Sequence, residues 1–109
     1  MFEARDIAEQ FVASLRYTIE VVADRDANLG SQLRRAAISA ALNTSEGGRR
    51  TGADRKNRFR IAAGECDEAM TAVRIAVALG WVDPAAAATA DALADRLRAM
   101  LWRLCNPRR

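Results

Sequence analysis

The sequence contains no histidine, and this absence restricts the chemistry that the chain can perform. Histidine is the commonest general base and a frequent metal ligand, so its absence excludes histidine-dependent nuclease and hydrolase mechanisms. Lys56 is the only lysine, and no Ser-x-x-Lys pair exists. The glycines match neither a phosphate-binding loop nor a dinucleotide fingerprint. We therefore expect a protein that is not an enzyme and that needs no cofactor.

Cysteines and long apolar runs are also scarce. Cys66 and Cys105 are far apart in sequence and lie on apolar helical faces, so we expect two buried, reduced thiols and no metal site. Glu3, Asp6 and Glu9 place three acidic groups where a signal peptide would carry its basic and apolar segments. No uncharged apolar run has the length of a membrane span. These features predict a cytoplasmic protein without membrane association.

Alanine dominates the hydrophobic half of the composition, whereas aromatic residues make up only 6%. Alanine is the best helix former, and β-branched residues are few. Apolar residues recur at helical spacing in four segments separated by short polar connections. We therefore predict an all-α, single-domain chain that forms an antiparallel up-down four-helix bundle. The predicted helices span about 3–23, 29–46, 55–79 and 84–104.

Two of the predicted helix ends follow from local signals. Asp83-Pro84 combines a capping acid with proline at the first helical position, which predicts the start of the fourth helix. Gly47 and Gly48 are predicted to stop the second helix, because glycine adopts the left-handed cap conformation readily. The segment from Arg49 to Asp54 is predicted to be a loop.

Positive charge is concentrated in the middle of a chain whose net charge is only +3. Arginines and lysine on one face, next to a flexible loop, are typical of a surface that binds the backbone of DNA or RNA with little sequence specificity. A solvated face balanced by nearby acids is the alternative interpretation. Phe59 is assigned to the core, so stacking on unpaired bases is not expected. The predicted contact residues are Arg34, Arg35, Arg49, Arg50, Arg55, Lys56, Arg58 and Arg60.

The sequence leaves more than one role open for a group of carboxylates and for the two tryptophans. A carboxylate metal site at Glu46, Glu65 and Glu68 is an alternative, although metal sites in helix bundles typically add histidine. Trp81 and Trp102 are expected either to close the core at the ends of the bundle or to anchor an interface.

A polar pair lies beside a row of small residues on the second predicted helix. Asn43 and Glu46 are three residues apart and therefore share a helix face with Gly47. Ala36 and Ala40 continue this face and allow two helix backbones to approach closely. We predict that the polar pair sets the register between helices, or the specificity of an interface, rather than taking part in catalysis.

The central part of the chain resembles a known family. The run from Gln32 to Ser39, followed by Asn43 and Glu46-Gly47, is similar to the bacterial four-helix bundle proteins first noted in intervening sequences of large-subunit ribosomal RNA genes. The sequence departs from the family pattern at Thr44-Ser45 and at Glu65, where the family has Ile-Ala and serine. A second part of the pattern is matched by Phe59, Ile61, Ala62, Gly64 and Glu68.

The resemblance carries expectations about assembly and partners. The family includes the accessory variability protein of diversity-generating retroelements. The resemblance therefore implies a homopentameric barrel that binds nucleic acid and a partner reverse transcriptase. A purely structural protein–protein assembly module, with arginines that only increase solubility, is the alternative. Salt-dependent binding of nucleic acid distinguishes the two.

Overall fold

The computed structural model describes residues 2–107, and this part of the chain contains helices and no strand. The chain is therefore all-α, as predicted. Five helices follow one another and form one elongated domain of 45 × 23 × 21 Å. They are α1 (Glu3–Ser14), α2 (Arg16–Arg25), α3 (Ala27–Gly48), α4 (Gly52–Ala78) and α5 (Pro84–Cys105).

Leu15 divides the predicted first helix, 3–23, into α1 and α2. The hydroxyl of Ser14 donates a hydrogen bond to the carbonyl of Phe11 at 2.6 Å, and the N–H of Leu15 reaches the carbonyl of Val12 at 3.1 Å. Such bonds replace the regular helical pattern and tighten the last turn. Leu15 is fully buried, so the core holds the interruption in place. The prediction of one continuous helix was wrong.

The predicted bounds of the second helix, 29–46, were too short at both ends. α3 begins at Ala27, because the carboxylate of Asp26 accepts a hydrogen bond from the N–H of Leu29 at 3.0 Å and caps the helix. α3 ends at Gly48, within the glycine pair predicted to stop it, but neither Gly47 nor Gly48 has a positive φ, so the predicted left-handed cap was wrong.

The helix predicted at 55–79 begins three residues earlier, at Gly52, and ends at Ala78. Gly52 has a φ of +59°, which glycine tolerates, so only residues 49–51 connect α3 and α4. α5 spans Pro84–Cys105, close to the predicted 84–104. Asp83 caps it as expected, accepting a hydrogen bond from the N–H of Ala85 at 3.0 Å.

The helices pack around one alanine-rich core. α3 lies along α4, α4 also packs on α5, and α1 contacts both α3 and α5, while α2 packs on α3. The predicted row of small residues is buried, including Ala36, Ala40 and Gly47. Alanine and glycine at these positions allow the backbones to approach closely. The largest fully buried side chains include Phe11, Leu15, Leu33, Phe59, Met70 and Leu97.

Both cysteines are free and buried, as predicted. Cys66 lies in the core, where burial raises the pKa of its thiol to about 11. The thiol therefore remains protonated at neutral pH, and Cys66 contributes to packing rather than to chemistry. Within residues 2–107, none of the helices combines the length and the hydrophobicity that crossing a lipid bilayer requires.

Two glycines on the predicted family motif have opposite surroundings. A Cβ atom at Gly47 would lie 2.5 Å from Cε1 of Phe59, which is far inside van der Waals contact. A Cβ atom at Gly64 would meet no atom of residues 2–107 within 4 Å, although Gly64 lies in the middle of α4. Packing therefore requires glycine at position 47. At position 64 no contact of the described residues requires it.

This difference predicts opposite effects of alanine substitution. We expect Gly47→Ala to lower the free energy of unfolding by about 1–2 kcal/mol, because the clash with Phe59 outweighs the better helix propensity of alanine. Gly64→Ala is the matched control and should raise it by about 0.5–1 kcal/mol. Urea denaturation followed by circular dichroism measures both. A neutral Gly47→Ala would contradict the packing account. A destabilising Gly64→Ala would indicate that another chain approaches this position.

Candidate nucleic-acid interface

The connection between α3 and α4 concentrates charge at one end of the helical rod. Residues 46–60, here called the basic turn, contain six basic and two acidic residues. Glu46 accepts hydrogen bonds from Arg50 at 3.2 Å and from Arg49 at 3.4 Å. These bonds, that of Arg50 first, hold the pKa of the Glu46 carboxyl below its ordinary value. Glu46 is therefore ionised at neutral pH and holds two of the arginines.

The ion pairs continue across the turn at helical spacing. Arg50 also donates a hydrogen bond to Asp54 at 3.3 Å, and Nε of Arg58 lies 3.9 Å from the same carboxylate. Glu46, Arg50, Asp54 and Arg58 thus alternate in sign at intervals of four residues. Exposed pairs of this kind contribute about 0–1 kcal/mol each, so they orient the arginines more than they stabilise the fold.

Arg55 has a structural role beneath this surface. Its guanidinium carbon lies 4.9 Å from the centre of the Phe59 ring, which is cation–π distance. It also donates a hydrogen bond to the carbonyl of Gly47 at 3.4 Å. Arg55 therefore links the end of α3 to the start of α4 and is half-buried in doing so.

Asn43 makes the polar contact between α3 and α4 further along. Its side-chain amide donates hydrogen bonds to the carbonyl and hydroxyl of Ser39, at 3.0 and 3.1 Å. Its oxygen accepts one from Arg58 at 3.4 Å. Nε of Arg58 is buried and has no hydrogen-bond partner within the described chain. Asn43 and Glu46, predicted to act as a pair, thus bind different arginines, and only Asn43 bridges two helices.

The remaining four predicted contact residues are exposed, and none of them takes part in an ion pair within residues 2–107. Arg34 and Arg35 lie on α3, fifteen residues before Arg49 and Arg50, which is about 22 Å along a helix. Lys56 and Arg60 lie on α4 within the basic turn. The structure therefore does not gather all eight basic residues on one surface.

The other motif residues lie away from the basic turn. Gln32 and Glu68 are exposed and line a shallow cavity of about 240 Å³ between α3 and α4. The alternative metal site at Glu46, Glu65 and Glu68 does not form. In the part of the chain that the structure describes, no three Asp, Glu, His or Cys side chains come together as metal ligands.

The two tryptophans differ in their surroundings. Trp81 is half-buried and packs against the core at the connection between α4 and α5. Trp102, on α5, is 66% exposed and lines a groove with Arg60 of α4. Sequence reasoning did not connect Trp102 with the basic residues, because the two positions are 42 residues apart. Only the packing of α5 on α4 brings them together.

Comparison with known proteins adds a family to this geometry. A family model described as 23S rRNA-intervening sequence protein matches residues 3–103, which include nearly all of the five helices. The chain belongs to this family. The resemblance inferred from the motif residues on α3 and α4 is thereby confirmed. No curated protein sequence matches the chain.

A solved structure supports the fold of this family member. It is the crystal structure of a protein with unknown function from the S23 ribosomal protein family of Bacteroides thetaiotaomicron VPI-5482. The two share 14% sequence identity with a TM-score of 0.82, over 94% of this chain and 97% of that chain. At this identity the similarity shows a common fold and nothing about function.

The contacts of Arg55 predict a structural role that its neighbour lacks. We expect Arg55→Ala to lower the free energy of unfolding by about 1 kcal/mol, because it removes the cation–π contact and the bond to the Gly47 carbonyl. Lys56→Ala is the matched control; its side chain is exposed and unpaired, so we expect a change within about 0.5 kcal/mol. Thermal and urea denaturation measure both. Equal effects of the two substitutions would contradict this assignment.

Proposed function

We propose that this protein is a non-catalytic, cytoplasmic accessory factor that binds nucleic acid through the basic turn. The observation that carries the proposal is the group of exposed cations at one end of the rod. Within residues 2–107 neither Lys56 nor Arg60 forms an ion pair, and the side chain of Arg49 is 67% exposed. Such cations suit the phosphates of DNA or RNA, which are regularly spaced and solvent-exposed.

The ion pairs of the turn are compatible with this role. The pairs of Glu46 with Arg49 and Arg50 are solvent-exposed, so exchanging a carboxylate for a phosphate costs little free energy. Arginine binds phosphate through two parallel N–H donors, which lysine cannot offer. The proposed phosphate contacts are the exposed cations of the basic turn, Arg49, Arg50, Lys56 and Arg60. Arg55 and Arg58 support the turn, and Arg34 and Arg35 belong to a separate surface.

The proposal extends to assembly. α1 and α2 are separated only by Leu15, so the two act as one arm of a four-membered bundle. Five such protomers in a homopentameric barrel would present five basic turns to one polyanion and so increase avidity. A reverse transcriptase is the proposed protein partner. The exposed apolar residues Leu42 on α3 and Ile61 and Ile75 on α4 are the side chains that such a contact between copies would cover.

These exposed residues also favour a second candidate function, a protein–protein assembly module that does not bind nucleic acid. Ile61 and Gly64 are three residues apart on α4, so a second chain could approach the backbone closely on this face. In this case the cations of the basic turn would only keep the protein soluble. Binding and assembly are measured separately, so the two candidates can be distinguished.

Binding is tested by fluorescence polarisation with labelled DNA and RNA at several salt concentrations. We expect the logarithm of affinity to fall linearly with the logarithm of salt concentration. The double variant Arg49→Ala/Arg50→Ala should reduce this slope by about 1.5–2, because two phosphate contacts are lost. Arg34→Ala/Arg35→Ala removes the same charge about 22 Å away and is the matched control. No binding at low salt would overturn the proposal and favour the second candidate.

Assembly is tested by light scattering coupled to size-exclusion chromatography. We expect a mass of five protomers, each of 11.9 kDa. Ile61→Asp should shift this mass toward the monomer, since it places a charge where the proposed contact would cover Ile61, while leaving the helical content unchanged. Arg34→Ala/Arg35→Ala again serves as the control. A monomer for the unmodified protein would contradict the pentamer directly.

A further inference from the structure

Trp102 is more exposed than is usual for a tryptophan in a folded domain. Its side chain is 66% exposed, although tryptophans are on average highly buried. It lines a groove of about 350 Å³ between α4 and α5, together with Arg60, Ala63 and Asn106. Phe59 and Leu101 also line this groove and are buried. An aromatic ring thus stands at the edge of a cleft that borders the basic turn.

The cations beside Trp102 lie on the neighbouring helix. Lys56 and Arg60 are four residues apart on α4 and therefore share a face. The thiol of Cys105 donates a hydrogen bond to the carbonyl of Lys56 at 3.7 Å, so this end of α4 lies against the end of α5 that carries Trp102. Neither Lys56 nor Arg60 has an acidic partner within the described residues. Both charges are available to a ligand.

The two other polar side chains of the groove, Arg98 and Asn106, differ in how many of their groups already have partners. Arg98 lines the groove, but it is bound to Asp67 at 2.8 Å and to Asp95, so its charge is neutralised. Asn106 donates one hydrogen bond to the carbonyl of Trp102 at 2.9 Å. Among the described residues its second amide donor and its oxygen have no partner, and these are the groups that contact the edge of a base. The groove therefore offers an aromatic face, the cation of Arg60 and an amide, and Lys56 lies one helical turn before Arg60 on α4.

We infer that this groove binds single-stranded nucleic acid, with one unpaired base stacked on Trp102 and the flanking phosphates on Lys56 and Arg60. The inference rests on the proposed function and adds the class of nucleic acid. It replaces the expectation from the sequence that no aromatic residue is available for stacking, because that expectation considered Phe59 and not Trp102. A duplex keeps its bases stacked on one another and offers no free face to an exposed indole, whereas a single strand does.

A second copy of the chain related by a two-fold axis fits this groove less well, and a head-to-tail contact, as in the proposed pentamer, is tested below through the oligomer mass. A two-fold contact would bring the unpaired charges of Lys56 and Arg60 close to the same charges of the other copy. Like charges across an interface are unfavourable, whereas a phosphate backbone neutralises them. The charge of the rim therefore favours a polyanion as the occupant, with bases as the only part of it that suits an indole ring.

The test compares Trp102 variants by fluorescence polarisation. The probes are labelled oligothymidylate of about 16 nucleotides and a duplex of equal length, a size within the range of single-strand sites. We expect the protein to bind the single strand more tightly. Trp102→Ala should weaken this binding by about tenfold or more, the usual effect of losing one stacked base. Trp102→Phe should restore most of it, because phenylalanine also stacks.

Two controls make the result specific. Tyr17→Ala removes another exposed aromatic residue, 70% exposed on α2, and should leave the affinity within about twofold. In Trp81→Phe, Trp102 is the only tryptophan, and its fluorescence should be quenched when oligothymidylate is added. Circular dichroism confirms that each variant keeps its helical content.

The outcomes separate the inference from the proposed function. Salt-dependent binding that Trp102→Ala leaves unchanged, with equal affinity for single strand and duplex, would overturn the single-strand inference and leave the proposed function intact. A fall in oligomer mass for Trp102→Ala without a change in affinity would also overturn it, since Trp102 would then contact another copy. No binding of either probe at low salt would overturn both.

Discussion

The close approach of α3 and α4 at Gly47 is the contact on which the rest of the molecule depends. The Phe59 ring occupies the space that any side chain at position 47 would need, and it is fully buried there. The Phe2 ring, just before α1, packs near the Phe59 ring, with ring centres 6.0 Å apart. The guanidinium carbon of Arg55 lies 4.9 Å from the centre of the Phe59 ring. Because the helices meet so closely, three residues suffice to connect them, and the arginines on both sides of the connection converge at one end of the rod.

The arginines at this end of the rod have two roles: some join α3 to α4, and others lie at the surface. Arg55 and Arg58 face inward and join α3 to α4 through the Gly47 carbonyl and the Asn43 side chain. Arg49 is held by Glu46 at the surface, where exchange for another anion costs little. Lys56 and Arg60, on α4, form no ion pair in the part of the chain that the structure describes. A count of positive charges in the sequence therefore overestimates the cations available to a ligand, and the folded chain shows which ones remain.

The periodicity of the sequence predicted the all-α class and the buried row of small residues, because these depend on local spacing. It placed the capping of α5 at Asp83 for the same reason. It missed the break at Leu15, where the hydroxyl of Ser14 competes for the Phe11 carbonyl. It explained Gly47 by a left-handed helix cap that the structure lacks, because the contact that requires glycine there comes from Phe59 across the turn. Trp102 and Arg60 come together because α5 packs on α4. The sequence of neither segment alone indicates this contact.

The central claim is that nucleic acid binds at the end of the rod where the basic turn and the end of α5 meet. The most direct measurement is a titration of the ¹⁵N-labelled protein with oligothymidylate, followed by two-dimensional NMR. We predict that the largest shifts occur at the backbone amides of residues 47–60 and at the indole N–H of Trp102. The amides at the opposite end, around Asp26 and Asp83, should not move. Shifts confined to that opposite end, or none at all, would contradict the account.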